Sequence, residues 1–217
     1  SSRFIDKFFQ LEVYLPAIRQ DILKSLFHKK LKEKSINFSE TFNKNLQSSI
    51  DDRYNLFDDY IKNIRDVKRT VNQIVYDYQF VEDAIDLKDF LNFTYFKMKF
   101  PKLIKIIIDN REDILTNPYN SKLFELKEER VEGTTRQSAN FWWGNTDYNY
   151  EDLKKYKFYK SLFPDKDESE YSKGLTENER KLLMKTLSFL FGSENKVSSQ
   201  TSIKKEANFM MLMQQRI

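Results

Sequence analysis

The sequence has no cysteine, and it has only four glycines, four prolines and one histidine among 217 residues. Without cysteine there are no disulfides, no thiolate nucleophiles and no thiolate zinc ligands. Neither the Gly-rich loop that cradles phosphate groups nor the dinucleotide-binding motif occurs, and the four glycines lie too far apart to build them. The chain therefore carries no complete catalytic apparatus of these kinds.

Long apolar runs are also missing, since none approaches the ~18–20 consecutive residues of a membrane-spanning helix. The N-terminus lacks the basic, apolar and small residues of a signal peptide. With the lack of cysteine, these absences favour a cytoplasmic protein. A patterned segment follows Ser1 and Ser2 at once and there is no initiator methionine, which predicts a fragment of a longer protein.

What the chain does contain favours helices. Hydrophobic residues make up 40% of it, enough for a sizeable core, and they recur at spacings of three and four along most of its length. The scarcity of turn-forming residues disfavours an all-β sandwich. The sequence predicts a mainly α, multi-helix bundle with at most a short N-terminal strand, which the alternation from Leu11 to Leu15 indicates.

Capping residues predict where several helices begin and end. Pro16 suits the first position of a helix whose buried face holds Ile18, Ile22, Leu23, Leu26 and Phe27. Further along the chain, the predicted boundaries are an N-cap at Ser39, one helix through Ile64 and Tyr78, an N-cap at Asp86, a helix opened by Pro101 that ends near Asn110, and a capping box of Thr176 and Glu179 before a stop at Gly192.

Periodicity disappears between residues 127 and 150, which predicts a loop or insertion. Residues 151–217 then read as a C-terminal helical segment with an apolar tail from Phe209 to Met213. Trp142 and Trp143 are adjacent, so their side chains point in different directions and one can lie exposed. Trp142, Trp143 and Phe209 are the candidate partner-binding residues.

No catalytic or metal site can be assembled from the residues alone. The single histidine, His28, lies among lysines, which is typical of a solvated helix surface. Asp147, Asn149 and Glu151 have the spacing of calcium ligands, but Asp152 stands where such loops need glycine, so no metal site is predicted. The 37 basic and 33 acidic residues are interleaved, and nucleic acid is not indicated as a partner.

Two segments together resemble the KAP family of P-loop NTPases. They are Phe4–Pro16, which reads FIDKFFQLEVYLP, and Ile64–Asn72, which reads IRDVKRTVN. In that family the first motif closes the nucleotide-binding core and the second lies in a helical region that follows. The resemblance covers roughly Phe4 to Ile108, and the chain departs from the family pattern at Ile64 and Thr70.

The resemblance implies four parts: the end of a nucleotide-binding core over residues 1–16, a helical lid-like domain over 17–126, the insertion over 127–150 and the C-terminal segment over 151–217. It implies that Arg65 senses the terminal phosphate of ATP and that Lys68 and Arg69 share its helix face. ATP and Mg²⁺ would be bound mostly by residues outside this chain, so the parent would be an ATPase and this part alone would not be catalytic. KAP-like proteins are associated with membrane-linked assemblies and with defence against phage.

Two alternatives stay open. The first is a stand-alone helical module that binds a protein partner or a second copy of itself through Trp142, Trp143 and the tail that begins at Phe209. The second is a helical nucleic-acid binder that uses the basic run of Lys29, Lys30, Lys32 and Lys34.

Overall fold

The computed structural model describes residues 18–115, 176–192 and 200–213. All regular structure in these ranges is helical, which confirms the predicted mainly α bundle. The predicted N-terminal strand, the loop of residues 127–150 and the first part of the C-terminal segment, residues 151–175, lie outside the described residues. The α-helices are α1 (Gln20–Lys34), α2 (Glu40–Asp51), α3 (Phe57–Tyr60), α4 (Ile64–Val81), α5 (Leu87–Lys99), α6 (Leu103–Asp109), α7 (Arg111–Leu115), α8 (Glu177–Phe191) and α9 (Glu206–Met213), with a 3-10 turn at Glu82–Ala84.

Local capping forms most of these boundaries as predicted. The Ser39 side chain accepts from the Phe42 amide at 3.0 Å, and the Asp86 side chain accepts from the Lys88 and Asp89 amides. Thr176 and Glu179 form a complete capping box at the start of α8. Each cap supplies a partner for helix amides that have none within the helix, so these starts are encoded locally.

The start of α1 differs from the prediction. The helix begins at Gln20, with extended backbone at Arg19, so the prediction that Pro16 occupies its first position is wrong. The Arg19 guanidinium donates two hydrogen bonds to Asp21, at 2.8 and 3.0 Å, and the Gln20 side chain donates to the Ile61 carbonyl at 3.2 Å. A contact distant in sequence therefore accompanies this helix start.

The core is built around α5, because every residue from Leu87 to Phe96 except Lys88 is buried. Helices α2, α3, α4 and α8 pack against it. Aromatic rings fill the space between α1, α3 and α5: the Phe27 and Phe57 centroids lie 5.0 Å apart, and Tyr60 stacks on Tyr95 at 6.0 Å. Such ring pairs add to the stability that area burial gives.

Helix α1 lies along α4, and the two helices run in the same direction. Its start contacts Ile61, and near its end the Lys34 Nζ atom donates to Asn72 Oδ1 at 2.6 Å. Leu23, Phe27 and Leu31 form its fully buried face, at a spacing of four. Ile22 was predicted on that face but is 53% exposed, because it lies one residue off the stripe that meets the core.

The C-terminal segment is docked on the N-terminal half of α5. The Asp86 amide donates to the Thr201 carbonyl at 2.9 Å, and the buried Asp89 carboxylate accepts from the Ile203 amide at 3.2 Å. Phe209 is fully buried, with its ring 6.1 Å from that of Phe191. The apolar tail that begins at Phe209 therefore packs on the body of the chain.

The chain reverses sharply after α4, at Glu82. This is the one non-glycine residue of the described ranges with positive φ, at φ 44° and ψ −132°. The next residue is held in place from two sides, since the hydroxyls of Ser39 and Tyr78 donate to the Asp83 carboxylate at 2.8 and 2.7 Å. Residues in such backbone regions store about 1–3 kcal/mol, which the surrounding contacts must overcome.

Glu82→Gly is expected to raise the free energy of unfolding by about 1 kcal/mol, because glycine adopts this conformation without strain. The greater flexibility of glycine in the unfolded chain offsets only part of this stabilisation. Urea unfolding followed by circular dichroism measures it. Glu82→Ala is the control, because it removes the same carboxylate and keeps the Cβ atom. If the alanine variant is as stable as the glycine variant, Glu82 is not strained.

Candidate functional site: the outer face of α4

The first turn of α4 carries its own cap. Asn63 Oδ1 accepts from the Asp66 amide at 2.9 Å, and Asp66 Oδ2 accepts from the Lys62 amide at 3.1 Å. Asp66 is thus turned back toward the helix start, where its charge also meets the positive end of the helix dipole. The carboxylate that follows Arg65 in the sequence therefore does not pair with it.

Arg65, Lys68 and Arg69 lie together on the first two turns of α4. Their spacing of three and four residues places them on one side of the helix, and all of them are exposed. None of their side chains has a hydrogen bond or an ion pair within residues 18–115, 176–192 and 200–213. The structure brings together the residues that the resemblance singled out and leaves their cationic groups in solvent.

The same side of the helix continues to its C-terminal end. At 3.6 residues per turn, a sector of roughly 120° contains seven exposed residues, which we call the α4 outer face: Arg65, Lys68, Arg69, Asn72, Tyr76, Gln79 and Phe80. The Tyr76 and Phe80 rings meet edge to face, with centroids 5.6 Å apart. They are 59% and 54% exposed, unlike the aromatic side chains of the core.

The aromatic half of this face is not among the residues predicted from the sequence. Aromatic residues at helical spacing usually belong to a core, and most of the described rings are buried. Tyr76 and Phe80 lie eleven and fifteen residues after Arg65, which places them on its side of α4 and away from the apolar stripe that contains Val67 and Ile74. A helical wheel centred on Arg65 would have placed these two aromatic residues on the exposed side of the helix.

A small cavity lies at the edge of this face, between α3, α4 and α5. Its volume is about 140 Å³, and it is lined by Tyr60, Ile61, Asp66, Arg69, Thr70, Tyr95, Met98 and Lys99. Pockets that hold drug-sized ligands are usually about 300–1,000 Å³. This cavity is too small for a nucleotide, so Arg69 can act on a nucleotide only from the open side.

Ion pairs tie α8 across this region. Lys99 Nζ lies 2.9 Å from the Glu179 carboxylate, and Lys185 Nζ lies 2.7 Å from that of Asp59. The hydrogen bond from Lys99, followed by that from the Thr176 amide, lowers the pKa of Glu179 from 4.5 to about 2. Glu179 is therefore ionised at neutral pH, so Lys99 is already paired.

The phenols beside the cavity are not acid–base groups at neutral pH. Burial raises the pKa of both Tyr60 and Tyr95 far above its usual value, and the Tyr60 hydroxyl shares a 2.7 Å hydrogen bond with Thr186. Both phenols therefore stay protonated. The arrangement can bind and orient an anion through its cations, but these phenols do not move protons.

The two most deeply buried carboxylates of the described core have structural partners. Asp77 Oδ2 lies 3.3 Å from Lys97 Nζ, and its other oxygen accepts from the Gln73 side chain at 2.9 Å. Asp89 holds the Ile203 amide at 3.2 Å. Buried carboxylates are stable only when such partners compensate their charge, so both read as anchors of tertiary structure.

The remaining predicted residues fall in two groups. Trp142 and Trp143 lie outside the described residues. Phe209 was predicted to contact a partner, and the structure corrects this prediction: its side chain is fully buried against the chain's own core and leaves no surface to bind.

Within the described ranges, no three His, Cys, Asp or Glu side chains are grouped so as to hold a metal ion. The helices of those ranges include none that is both long and apolar enough to cross a bilayer.

Comparison with known proteins adds no relative: no protein-family model, no curated protein and no solved structure matches the chain. The described part therefore defines a class only by its own geometry. It is a helical bundle that presents one helix with a cationic and aromatic outer face.

Proposed function

We propose that this chain is the lid-like helical region of a KAP-like P-loop ATPase, in which Arg65 contacts the terminal phosphate of ATP bound by residues outside the chain. The observation that most supports this proposal is that the Arg65 side chain is exposed and unpaired among the described residues. Arg65 is the second residue of α4. A guanidinium held ready in this way suits an anion supplied by another element.

The chemistry fits a phosphate oxygen. Guanidinium is always charged and offers a planar fork of donors, so it stabilises charge as it develops during phosphoryl transfer. At the helix start itself the Asp66 carboxylate already accepts from the Lys62 amide, and its negative charge disfavours a phosphate there. Binding would therefore run through the side chains of Arg65, Lys68 and Arg69, with Mg²⁺ held outside the chain.

Packing gives the proposal a route for coupling. Helix α4 contacts α1, α5 and α9, so the proposal has a displacement of α4 pass to those three helices. In the proposed parent, this couples nucleotide state to a protein partner or to self-assembly in the cytoplasm. A role in defence against phage belongs to the same proposal and rests on the KAP resemblance alone.

The alternative function, a stand-alone interaction module, has less support from the described residues. Phe209 is buried, and Trp142 and Trp143 lie outside the described residues, so no described residue of its original surface supports it.

Calorimetric titration with ATP and Mg²⁺ tests the proposal that most of the nucleotide-binding site lies outside this chain. The isolated chain is expected to bind with a Kd weaker than about 1 mM, since its exposed cations lack an enclosing pocket, whereas the full-length protein binds in the micromolar range. A micromolar Kd for the isolated chain would show that the nucleotide site lies within it and would overturn the proposal. Absence of binding by the full-length protein would favour the interaction module.

A further inference from the structure

The charges of α4 are mixed in the sequence and separated in the structure. The helix has two carboxylates, and both are used inside the molecule: Asp66 caps the helix start, and Asp77 is buried beside Lys97. No carboxylate stands on the α4 outer face from Arg65 to Phe80. Acidic side chains resume only beyond the helix, at Glu82 and Asp83.

A further cation joins this face from α1. Lys34 Nζ lies 2.6 Å from Asn72 Oδ1, midway along α4. It extends the positive charge of Lys68 and Arg69 toward the exposed rings of Tyr76 and Phe80. At 1.5 Å per residue the face is about 22 Å long.

We propose that Lys34, Lys68, Arg69, Tyr76 and Phe80 bind single-stranded nucleic acid. The cations contact successive phosphates, and the two rings stack on unpaired bases. Single-strand binders combine these two elements, a track of positive charge and exposed aromatic faces, with footprints of about 4–16 nucleotides. The inference goes beyond the proposed ATPase role and does not rest on it.

Other polyanions fit this surface less well. A helix that lies in a membrane surface inserts a broad apolar face, but the apolar face of α4 is already buried in the core. Paired bases in a duplex offer their faces to no side chain, so the rings gain nothing from duplex DNA. An acidic peptide would match the cations, but it offers no flat groups to stack on Tyr76 and Phe80.

The test measures fluorescence anisotropy of a labelled deoxythymidine oligonucleotide of about 15 nucleotides with the whole chain. Three phosphate contacts predict that log K falls with log salt concentration with a slope of about −2. Tyr76→Ala/Phe80→Ala is expected to weaken binding at least tenfold, roughly. Lys68→Ala/Arg69→Ala is expected to reduce the salt slope by about 1 to 1.5.

Matched controls separate the face from general charge and hydrophobicity. Lys102→Ala/Lys105→Ala removes two exposed cations at α6, and Ile22→Ala/Ile36→Ala removes two exposed aliphatic side chains. Both are expected to change the affinity less than about twofold. Tyr76→Leu/Phe80→Leu keeps apolar area without rings, so it is expected to bind as weakly as the alanine pair.

Several results would overturn the inference. The first is that the control variant Lys102→Ala/Lys105→Ala weakens oligonucleotide binding as much as Lys68→Ala/Arg69→Ala does. Another is equal binding of duplex DNA, and a third is binding to phosphatidylserine vesicles or polyglutamate with no binding to the oligonucleotide. All the substituted residues are exposed, so every variant is expected to keep its fold, and circular dichroism checks this.

Discussion

In the proposed parent ATPase, Arg65→Ala is expected to lower the rate of ATP hydrolysis by about 100-fold or more. Removal of one donor that stabilises transition-state charge commonly costs 10²–10³ in kcat, roughly, and an arginine that reaches a transferring phosphoryl group is worth more still. Arg65 is exposed and has no partner among the described residues, so its loss does not disturb the fold. Steady-state phosphate release measures the effect.

Two variants make this result specific. Arg65→Lys keeps the charge and loses the planar fork, so it is expected to retain only part of the activity. Lys44→Ala removes an exposed cation from α2, and its rate is expected to match the unsubstituted protein. An Arg65→Ala protein that hydrolyses ATP at the rate of the Lys44→Ala protein would remove Arg65 from the nucleotide site.

Asn92→Ala is expected to lower the free energy of unfolding by about 2–4 kcal/mol. The Asn92 side chain is fully buried in α5, where it accepts from the Leu56 amide at 2.9 Å and donates to the Tyr54 carbonyl at 2.8 Å. Its removal deletes the hydrogen bonds that Asn92 makes to two backbone groups of the α2–α3 connection and opens a void, and a buried hydrogen bond lost on one side costs about 1–3 kcal/mol. Urea denaturation measures the loss.

Asn72→Ala is the matched control, because this asparagine is exposed and its side chain accepts a hydrogen bond from Lys34 at the protein surface. It is expected to change stability by less than about 0.5 kcal/mol. Asn92→Asp keeps the acceptor for Leu56 and loses the donor, and it also buries a charge, so it is expected to be destabilised as well. An Asn92→Ala protein as stable as the Asn72→Ala protein would mean that the α2–α3 connection is held by other contacts.

The boundaries that the sequence predicts correctly are those set by neighbours along the chain. The Ser39 cap, the Asp86 cap and the box of Thr176 and Glu179 each involve residues within three positions of one another. Helix α4 is predicted as one element because its apolar period is uninterrupted. Such signals need no knowledge of tertiary structure.

Features that depend on distant partners escape the sequence. Gln20 meets Ile61 at the start of α1, and Asn92 reaches back to Tyr54. Nothing near these residues announces the contact. The burial of Phe209 has the same origin, since an apolar tail reads equally well as a docked segment or as a partner surface until its neighbour Phe191 is known.

The candidate site was half predictable. The resemblance singled out Arg65, Lys68 and Arg69, and helical spacing alone puts them on one side of α4. Their isolation from carboxylates was not predictable, because it depends on Asp66 turning back to the Lys62 amide. Charge interleaved in the sequence therefore gave no sign of the cationic face that the fold produces.

Arginine-selective labelling of the proposed parent ATPase, read by mass spectrometry, tests the central claim most directly. With a non-hydrolysable ATP analogue and Mg²⁺ bound, the modification of Arg65 is expected to slow at least about tenfold, because the proposal has phosphate oxygens accept hydrogen bonds from its guanidinium. Arg53, an exposed arginine before α3, serves as the internal control and is expected to react at an unchanged rate. Equal labelling of Arg65 with and without bound nucleotide would contradict the account.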